Sequence, residues 1–133
     1  MSQENVELLR RAFEHVERTR EILPELVVPD FVWDTTTYRG GVQPATCEGV
    51  DEANQWLAEW LDGFHAWSVE VLEIVDAGDH VVTVMRQRAT AKHGGPEVEM
   101  LLPQVWAFRD GLIARMEMYV DRAEALRAAG LSE

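Results

Sequence analysis

An aspartate near the end of a predicted strand is the strongest candidate for chemistry in this sequence. Residues 30–37 are rich in β-branched and aromatic side chains and predict a strand, in which alternate side chains share a face. Val32 and Asp34 therefore point together, while their neighbours point the other way. If this pair faces an apolar interior, Asp34 becomes a usable proton acceptor and a candidate catalytic base. The alternatives are an ion pair with Arg39 or simple solvation at the strand end.

A set of mainly apolar and aromatic side chains could line a small-molecule pocket around that aspartate. An apolar cavity with few polar groups is the usual form of such a site. The same side chains could instead serve as core packing, since five tryptophans in 133 residues must be buried somewhere. The predicted ligand-binding residues are Phe13, Val32, Trp56, Trp60, Phe64, Met85, Gln104, Trp106, Met116 and Met118.

The sequence lacks the motifs of several other chemistries. Cys47 is the only cysteine, which excludes an internal disulfide and gives no basis for a thiolate metal cluster. The histidines at positions 15, 65, 80 and 93 show no metal-ligand spacing, so we expect no metal. There is no Gly-x-Ser-x-Gly elbow, phosphate loop or dinucleotide fingerprint, so we expect no cofactor and no covalent hydrolysis.

Charge and hydropathy limit the partners of this chain. With 24 acidic against 12 basic side chains, the formal charge of −12 opposes a phosphate backbone and argues against nucleic-acid binding. No apolar run approaches the roughly 20 residues that cross a bilayer, and the polar N-terminus lacks the features of a secretory signal. We therefore expect a cytoplasmic protein without membrane contact. The length predicts one domain over residues 1–133.

The first half of the chain predicts the helices that would position these side chains. Residues 3–18 carry apolar side chains at helical spacing. A second amphipathic helix is predicted from Asp51 to near Gly63, with an aromatic stripe that reaches Phe64. Between them, a shorter helix is predicted to start near Ile22 and to be stopped by Pro29.

The second half of the chain predicts a meander of antiparallel strands. Turn sequences rich in Gly, Asp and Pro separate the strands, and Asp110-Gly111 is the strongest of them because both residues tolerate positive φ. The predicted strands cover residues 69–75, 81–91, 98–109 and 112–120.

A short helix is predicted to close the chain. Asp121 and Glu124 form a capping-box-like start for a helix over residues 123–129. Helices first and a meander afterwards predict the α+β class. We expect a cone-shaped, curved antiparallel sheet with three helices of the N-terminal half on its concave face and this short C-terminal helix.

Several local strings, spread over nearly the whole chain, resemble a known family. They are residues 4–6 (Glu-Asn-Val), 10–13 (Arg-Arg-Ala-Phe), 29–33 (Pro-Asp-Phe-Val-Trp), 76–79 (Asp-Ala-Gly-Asp), 104–111 (Gln-Val-Trp-Ala-Phe-Arg-Asp-Gly) and 119–126 (Tyr-Val-Asp-Arg-Ala-Glu-Ala-Leu). With the element order, these strings resemble the SnoaL-like branch of the nuclear transport factor 2-like superfamily. The resemblance implies a conical fold with an apolar pocket at its wide end and a homodimer formed through the outer sheet face. Members range from isomerases and cyclases to plain binding modules.

The resemblance also allows a comparison with the isomerases of this superfamily. Ketosteroid isomerases and scytalone dehydratases place an aspartate at the end of the first strand, where Asp34 stands. The isomerase tyrosine falls at Ala12, and its second, protonated aspartate falls near Gln104, whose amide can still donate. Steroid isomerisation needs fixed donors for the enolate oxygen, so the chain departs from that pattern.

Two further branches fit less well. Limonene epoxide hydrolases orient a water with two aspartates and an arginine, and the string at residues 86–88 (Arg-Gln-Arg) lacks the matching aspartate. We predict instead that Arg88 pairs with Glu99 on the neighbouring strand. Polyketide cyclases carry an aspartate near a histidine on the last strand, where this chain offers only Glu117 and no histidine.

The sequence supports three functional hypotheses. The first is binding of a small hydrophobic molecule in an apolar conical pocket. The second is a cofactor-free isomerase, lyase or cyclase that uses Asp34 as its general base. The third is a dimeric interaction module whose cone is filled by side chains. An Asp34 locked to a cation would weaken the second hypothesis, and a pocket too small for a ligand would favour the third.

Overall fold

The computed structural model describes residues 2–38 and 44–131. Within these ranges the chain forms three α-helices, one 3-10 turn and six strands. In chain order they are α1 (Ser2–Thr19), the 3-10 turn (Pro24–Leu26), β1 (Val27–Asp34), β2 (Thr46–Glu48), α2 (Val50–Asp62), β3 (Phe64–Asp76), β4 (His80–Ala91), β5 (Val98–Arg109), β6 (Leu112–Met118) and α3 (Arg122–Ala128).

The strands form one curved, mixed sheet in the order β2-β1-β6-β5-β4-β3. The predicted α+β class, the curved sheet and the short C-terminal helix are confirmed. The meander from β3 to β6 is antiparallel, as expected. The prediction of an antiparallel sheet is wrong for one pair, because β1 runs parallel to β6. No hairpin joins these two strands, so nothing in the connection forces opposite directions.

Helices α1 and α2 cover one face of the sheet, which we call the inner face. Leu9 and Ala12 of α1 share a hydrophobic core with Trp56 and Leu57 of α2 and with the inward side chains of the strands. The amphipathic spacing that predicted both helices therefore marks the sides that bury against the sheet.

Helix α3 packs on the opposite, outer face. Val82 of β4 and Val105 of β5 oppose each other in the strand register and form a separate cluster with Ala125 and Leu126 of α3. The predicted cap is present, since the Asp121 carboxylate accepts a hydrogen bond from the Glu124 backbone N–H at 2.8 Å. The cap and the small cluster together fix the C-terminal helix to the outside of the meander.

The helix predicted from Ile22 is wrong, because only the 3-10 turn Pro24–Leu26 forms there. The buried, β-branched Val27 and Val28 already belong to β1, which continues through Pro29. Pro29 lies where the register between β1 and β6 shifts, so its missing N–H costs no regular ladder bond. The N-terminal half of the described chain therefore supplies two α-helices, and not three.

Three further boundaries differ from the predictions. Helix α2 ends at Asp62, so Phe64 opens β3 and does not extend the helical stripe. Strand β3 accordingly begins five residues before the predicted position 69. The three-residue strand β2 was not predicted, because it is too short to show an alternating pattern. Among the described residues, no helix is both long and apolar enough to span a membrane.

Candidate functional site

A cavity lies between α1, α2 and the inner face of the sheet. The space open to the centre of a water molecule is ≈ 80 Å³. Its wall is mainly apolar and combines side chains from both helices with side chains from β1, β3, β4, β5 and β6. Seven of the predicted ligand-binding residues lie in this wall: Phe13, Trp56, Trp60, Met85, Gln104, Trp106 and Met118.

Three predicted ligand-binding residues are not part of the wall. Met116 is fully buried in the core behind it. Phe64 packs edge-on against Trp60, with ring centroids 5.3 Å apart, and supports the wall from outside. Val32 lies on the other side of β1, so its predicted place in the pocket is wrong.

The orientation of β1 is opposite to the predicted one. Phe31 and Trp33 line the cavity, and Trp33 packs against Trp56 and Trp106 at centroid distances of 5.6 and 6.5 Å. Because side chains alternate along a strand, Val32 and Asp34 then point to the outer face. The physical reason is size, since the two aromatic rings bury far more apolar surface than a valine and a carboxylate would.

Asp34 is held in an ion pair on the outer face. Its Oδ2 accepts from Nη2 of Arg115 at 3.0 Å, and its Oδ1 accepts from the backbone N–H of Thr36 at 2.8 Å. Only 14% of the side chain is exposed. Arg39, the partner in the alternative interpretation, lies outside the described residues. The prediction that Asp34 faces the pocket is wrong, and Arg115 compensates its charge.

Arg115 also holds a second carboxylate on the same face. Its Nε donates to Oε2 of Glu117 at 3.0 Å, and the Tyr119 hydroxyl donates to Oε1 of Glu117 at 3.1 Å. Burial and the nearby Glu117 charge raise the pKa of Tyr119 to about 12. Glu117 thus faces away from the cavity, and the neighbouring Met118 faces into it.

Gln87 fixes two of the cavity's tryptophans. It is 2% exposed, and its Oε1 accepts from Nε1 of Trp60 at 2.9 Å and from Nε1 of Trp67 at 2.7 Å. Its own Nε2 contacts the Met100 sulfur at 3.6 Å. One amide on β4 thereby ties an indole of α2 to an indole of β3. Arg20, after α1, stacks over the Trp67 ring at 4.7 Å from its centroid.

Gln87 and Trp67 are wall residues that the sequence reasoning missed. Gln87 shares a strand face with the predicted wall residue Met85, so alternation alone could have found it. Trp67 was missed because the strand was predicted to start after it. The string containing Gln87 has a structural role on its other side, since the predicted Arg88–Glu99 ion pair is confirmed at 3.1 Å.

A second polar group lies on the wall at Gln104. The indole Nε1 of Trp106 donates to the Thr83 hydroxyl oxygen at 2.9 Å, and this hydroxyl donates to Oε1 of Gln104 at 3.3 Å. Thr83 and Gln104 oppose each other in the register of β4 and β5. Gln104 is 4% exposed, and its Nε2 donates to no atom of the described residues. Ala12, where the isomerase comparison places a tyrosine, lines the cavity without offering a donor.

A third polar group is the indole N–H of Trp33. The ring is 8% exposed, and its Nε1 is buried without a hydrogen-bond partner among the described residues. Buried polar groups are nearly always paired, so this donor is an exception among the described residues, and it has no surface open to the cavity.

The described wall contains no ionisable side chain. Its residues are apolar, aromatic or amide-bearing. No cluster of three metal-ligating side chains occurs among the described residues. A charged ligand would lose its hydration without gaining a partner, which is costly, so the wall suits a neutral molecule.

Comparisons with known proteins agree with the fold. The sequence matches the family model of the SnoaL-like domain over residues 8–116. It has no significant match among curated proteins. A nuclear transport factor 2-like protein of unknown function from Burkholderia pseudomallei has a TM-score of 0.74 at 23% identity, with 93% of this chain and 95% of that chain covered.

Two further similar structures contain ligands. TerC, co-crystallised with polyporic acid, has a TM-score of 0.74 at 21% identity, with 96% of this chain and 98% of that chain covered. A protein from Mycobacterium tuberculosis in complex with estradiol-17β-hemisuccinate has a TM-score of 0.72 at 14% identity, with 89% of this chain and 94% of that chain covered. At these identities the likeness concerns the fold.

Proposed function

The chain belongs to the SnoaL-like domain family, and we propose that it binds a small, neutral, largely apolar molecule between α1, α2 and the inner sheet face. The observation that carries this proposal is a cavity of ≈ 80 Å³ whose described wall has no ionisable side chain. Pockets for small molecules combine such apolar walls with a few placed polar groups. This volume is small beside ligand pockets of roughly 300–1,000 Å³, so the proposal is confined to a compact molecule.

Two similar structures support a ligand in this fold. TerC was co-crystallised with polyporic acid, and the Mycobacterium tuberculosis protein is in complex with estradiol-17β-hemisuccinate. The aromatic side chains Trp33, Trp56 and Trp106 offer flat surfaces for a ring in this chain.

The geometry favours binding over the two other hypotheses. A general base must come within hydrogen-bond reach of the proton that it removes, and Asp34 lies on the outer face in an ion pair with Arg115. No carboxylate or histidine lies in the described wall. A cone filled by side chains, as the interaction-module hypothesis requires, would leave no space of this size between the helices and the sheet.

Calorimetric titration with indane, a neutral two-ring hydrocarbon, tests the proposal. We expect one molecule to bind per chain with a negative heat-capacity change, because apolar surface is buried. Ala12→Leu adds carbon atoms to the wall and should weaken binding by about tenfold. Arg11→Leu is the matched control, because it introduces a leucine on the exposed side of α1 and should leave binding unchanged. Absence of binding, or equal binding by both variants, would contradict a site in this cavity.

A further inference from the structure

Strand β3 has an edge that pairs with no other strand of the described chain. It stands last in the sheet order, with β4 as its one neighbour there. On its other side, Nη2 of Arg20 donates to the backbone oxygen of Trp67 at 3.4 Å, so this carbonyl points away from β4. Backbone groups alternate in direction along a strand, and the register is continuous from Ala66 to Val71. The N–H and C=O groups of Val69 and Val71 therefore point to the free edge as well.

This edge lacks the usual protection against a further strand. Natural edge strands are commonly short or carry lysine or proline, which discourage pairing with another chain. Strand β3 has 13 residues and contains neither. Between Ala66 and Val71 its pairing with β4 also has no bulge that would twist the edge away. The backbone of β3 is therefore suited to accept an extended segment.

A groove runs along this edge, between β3 and helix α1. The space open to the centre of a water molecule is ≈ 400 Å³. Its floor consists of Phe13 of α1 and of Val69, Val71 and Ile74 of β3, which are half-buried and pack against the hydrophobic core. A segment laid on β3 would remove this apolar surface from water, which favours its binding.

Two carboxylates beside the floor have no partner. Glu14 and Glu17 line the groove from α1 and are exposed, and neither side chain makes a hydrogen bond or an ion pair with the described residues. Both precede Arg20, which stacks on Trp67, whereas the β3 residues of the groove follow Trp67. Helix and strand thus run in opposite directions here, and the carboxylates lie towards the Trp67 end.

The other end of the groove carries a positive charge. Arg10 lines it from α1, one to two helical turns before the carboxylates, and therefore lies towards Ile74. A basic side chain is attracted at the carboxylate end and repelled at the Arg10 end, where the floor offers an apolar contact. The charges along the groove consequently favour one direction for a bound segment.

From the free edge, the apolar floor and the two unpaired carboxylates, we propose that this groove binds an extended, basic peptide segment of another protein, which adds as a strand beside β3. Its inward side chains are an apolar residue towards Ile74, followed by Lys or Arg opposite Glu14 and Glu17. Backbone pairing with a sheet edge supplies affinity in this mode, and the side chains supply specificity. The net charge of −12 attracts a basic partner and repels a second copy of this chain.

The test uses the peptide Thr-Val-Thr-Lys-Thr-Lys-Thr, acetylated and amidated at its ends, which carries valine and both lysines on one face. In nitrogen-15 spectra, the backbone amide signals of Val69 and Val71 should shift downfield on titration, and their hydrogen exchange should slow. The same peptide with glutamates in place of the lysines should bind about tenfold more weakly, because two attractive pairs become repulsive. Raising the salt to about 0.5 M should reduce this difference.

Paired charge variants separate the groove from the overall charge. Glu14→Lys combined with Glu17→Lys should weaken binding of the lysine peptide about tenfold. Glu25→Lys combined with Glu97→Lys changes the net charge equally, at exposed positions outside the groove, and should change affinity by less than about twofold. Equal effects of the two pairs would show attraction by net charge alone and would overturn the site. None of the four positions lines the cavity, so binding of indane is tested independently.

The last step tests the backbone pairing. Val71→Pro removes an N–H that points to the free edge, so the ladder with β4 should persist while the peptide loses its bond. Circular dichroism checks that this variant folds. The lysine peptide with N-methyl groups on both lysine backbone nitrogens tests the same bonds on the wild type and should not bind. Equal binding of the methylated peptide, or absence of shifts at Val69 and Val71, would overturn the inference. Slow, concentration-dependent exchange at these amides without peptide would assign the edge to a second copy and overturn it too.

Discussion

Replacing Gln87 by leucine removes an acceptor that two tryptophans of the cavity share. The indoles of Trp60 and Trp67 lose their bonds of 2.9 and 2.7 Å to Oε1. Leaving a buried donor unpaired costs about 1–3 kcal/mol, and both rings are only partly buried, so the two together should cost about 3 kcal/mol. Burying a leucine in place of the amide offsets about 1 kcal/mol of that. We therefore expect Gln87→Leu to reduce the free energy of unfolding by about 2 kcal/mol.

Urea unfolding followed by far-ultraviolet circular dichroism measures this change without relying on the altered tryptophans. The slope of the free energy against urea should stay the same, because the unfolded chain exposes similar surface. Gln55→Leu on α2 is the matched control, since the Gln55 amide donates to Glu59 on the exposed side of the helix. It should change stability by less than about 0.5 kcal/mol. If Gln87→Leu is also within that range, the shared acceptor does not hold the two indoles in place.

Two other predictions concern the outer face. Asp34→Asn weakens an ion pair, so it should lower the free energy of unfolding by about 1 kcal/mol and leave the affinity for indane within about twofold of wild type. A large loss of binding would show that Asp34 reaches the cavity. Asp30→Asn, the control in a more exposed ion pair, should lower the free energy of unfolding by less. Tyr119 should ionise near pH 12 in the folded protein, as followed by tyrosinate absorbance and assigned with Tyr119→Phe. Its folded-state pKa lies above the unfolded value of about 10, so its contribution to stability is complete below about pH 10 and is lost as the pH rises towards about 12. Ionisation of both tyrosines near pH 10 in the folded protein would contradict the effect of burial and of the Glu117 charge.

The parts of the fold that the sequence predicts are those with a local physical cause. The Asp110-Gly111 turn has positive φ at both residues, 56° and 77°, which few other pairs tolerate. The cap at Asp121 is a contact over three residues. The parallel pairing of β1 with β6 depends on residues more than eighty positions apart, such as Trp33 and Met116, and no local pattern encodes it. Local propensity also gave a wrong prediction at Pro24. Proline is tolerated in the first turn of a helix, but here it opens only a 3-10 turn that leads into β1.

The candidate site was predictable to a similar degree. Seven wall residues follow from helical and strand periodicity, because the side of an element that is apolar is the side that is buried. The error at Asp34 is a shift of one residue in strand phase, which moves a whole set of side chains to the other face. In residues 31–34, aromatic side chains alternate with Val32 and Asp34. The prediction turned Asp34 inward because it could do chemistry, and this turned Phe31 and Trp33 outward. Comparing the two possible faces by the apolar area they would bury gives the observed orientation.

The choice of which side chains of β1 face inward also determines the chemistry that the cavity can support. With Trp33 on the inner face, register places Met116 beside it, and it places Glu117 beside Asp34 on the outer face. Arg115 can then compensate both carboxylates where water reaches them, so no charge has to be buried in the cavity. The cavity retains only polar groups that can be neutral, and most of these bond to one another. What remains for a ligand is an aromatic wall with neutral amide groups, an arrangement that can hold a molecule without acting as an acid or a base.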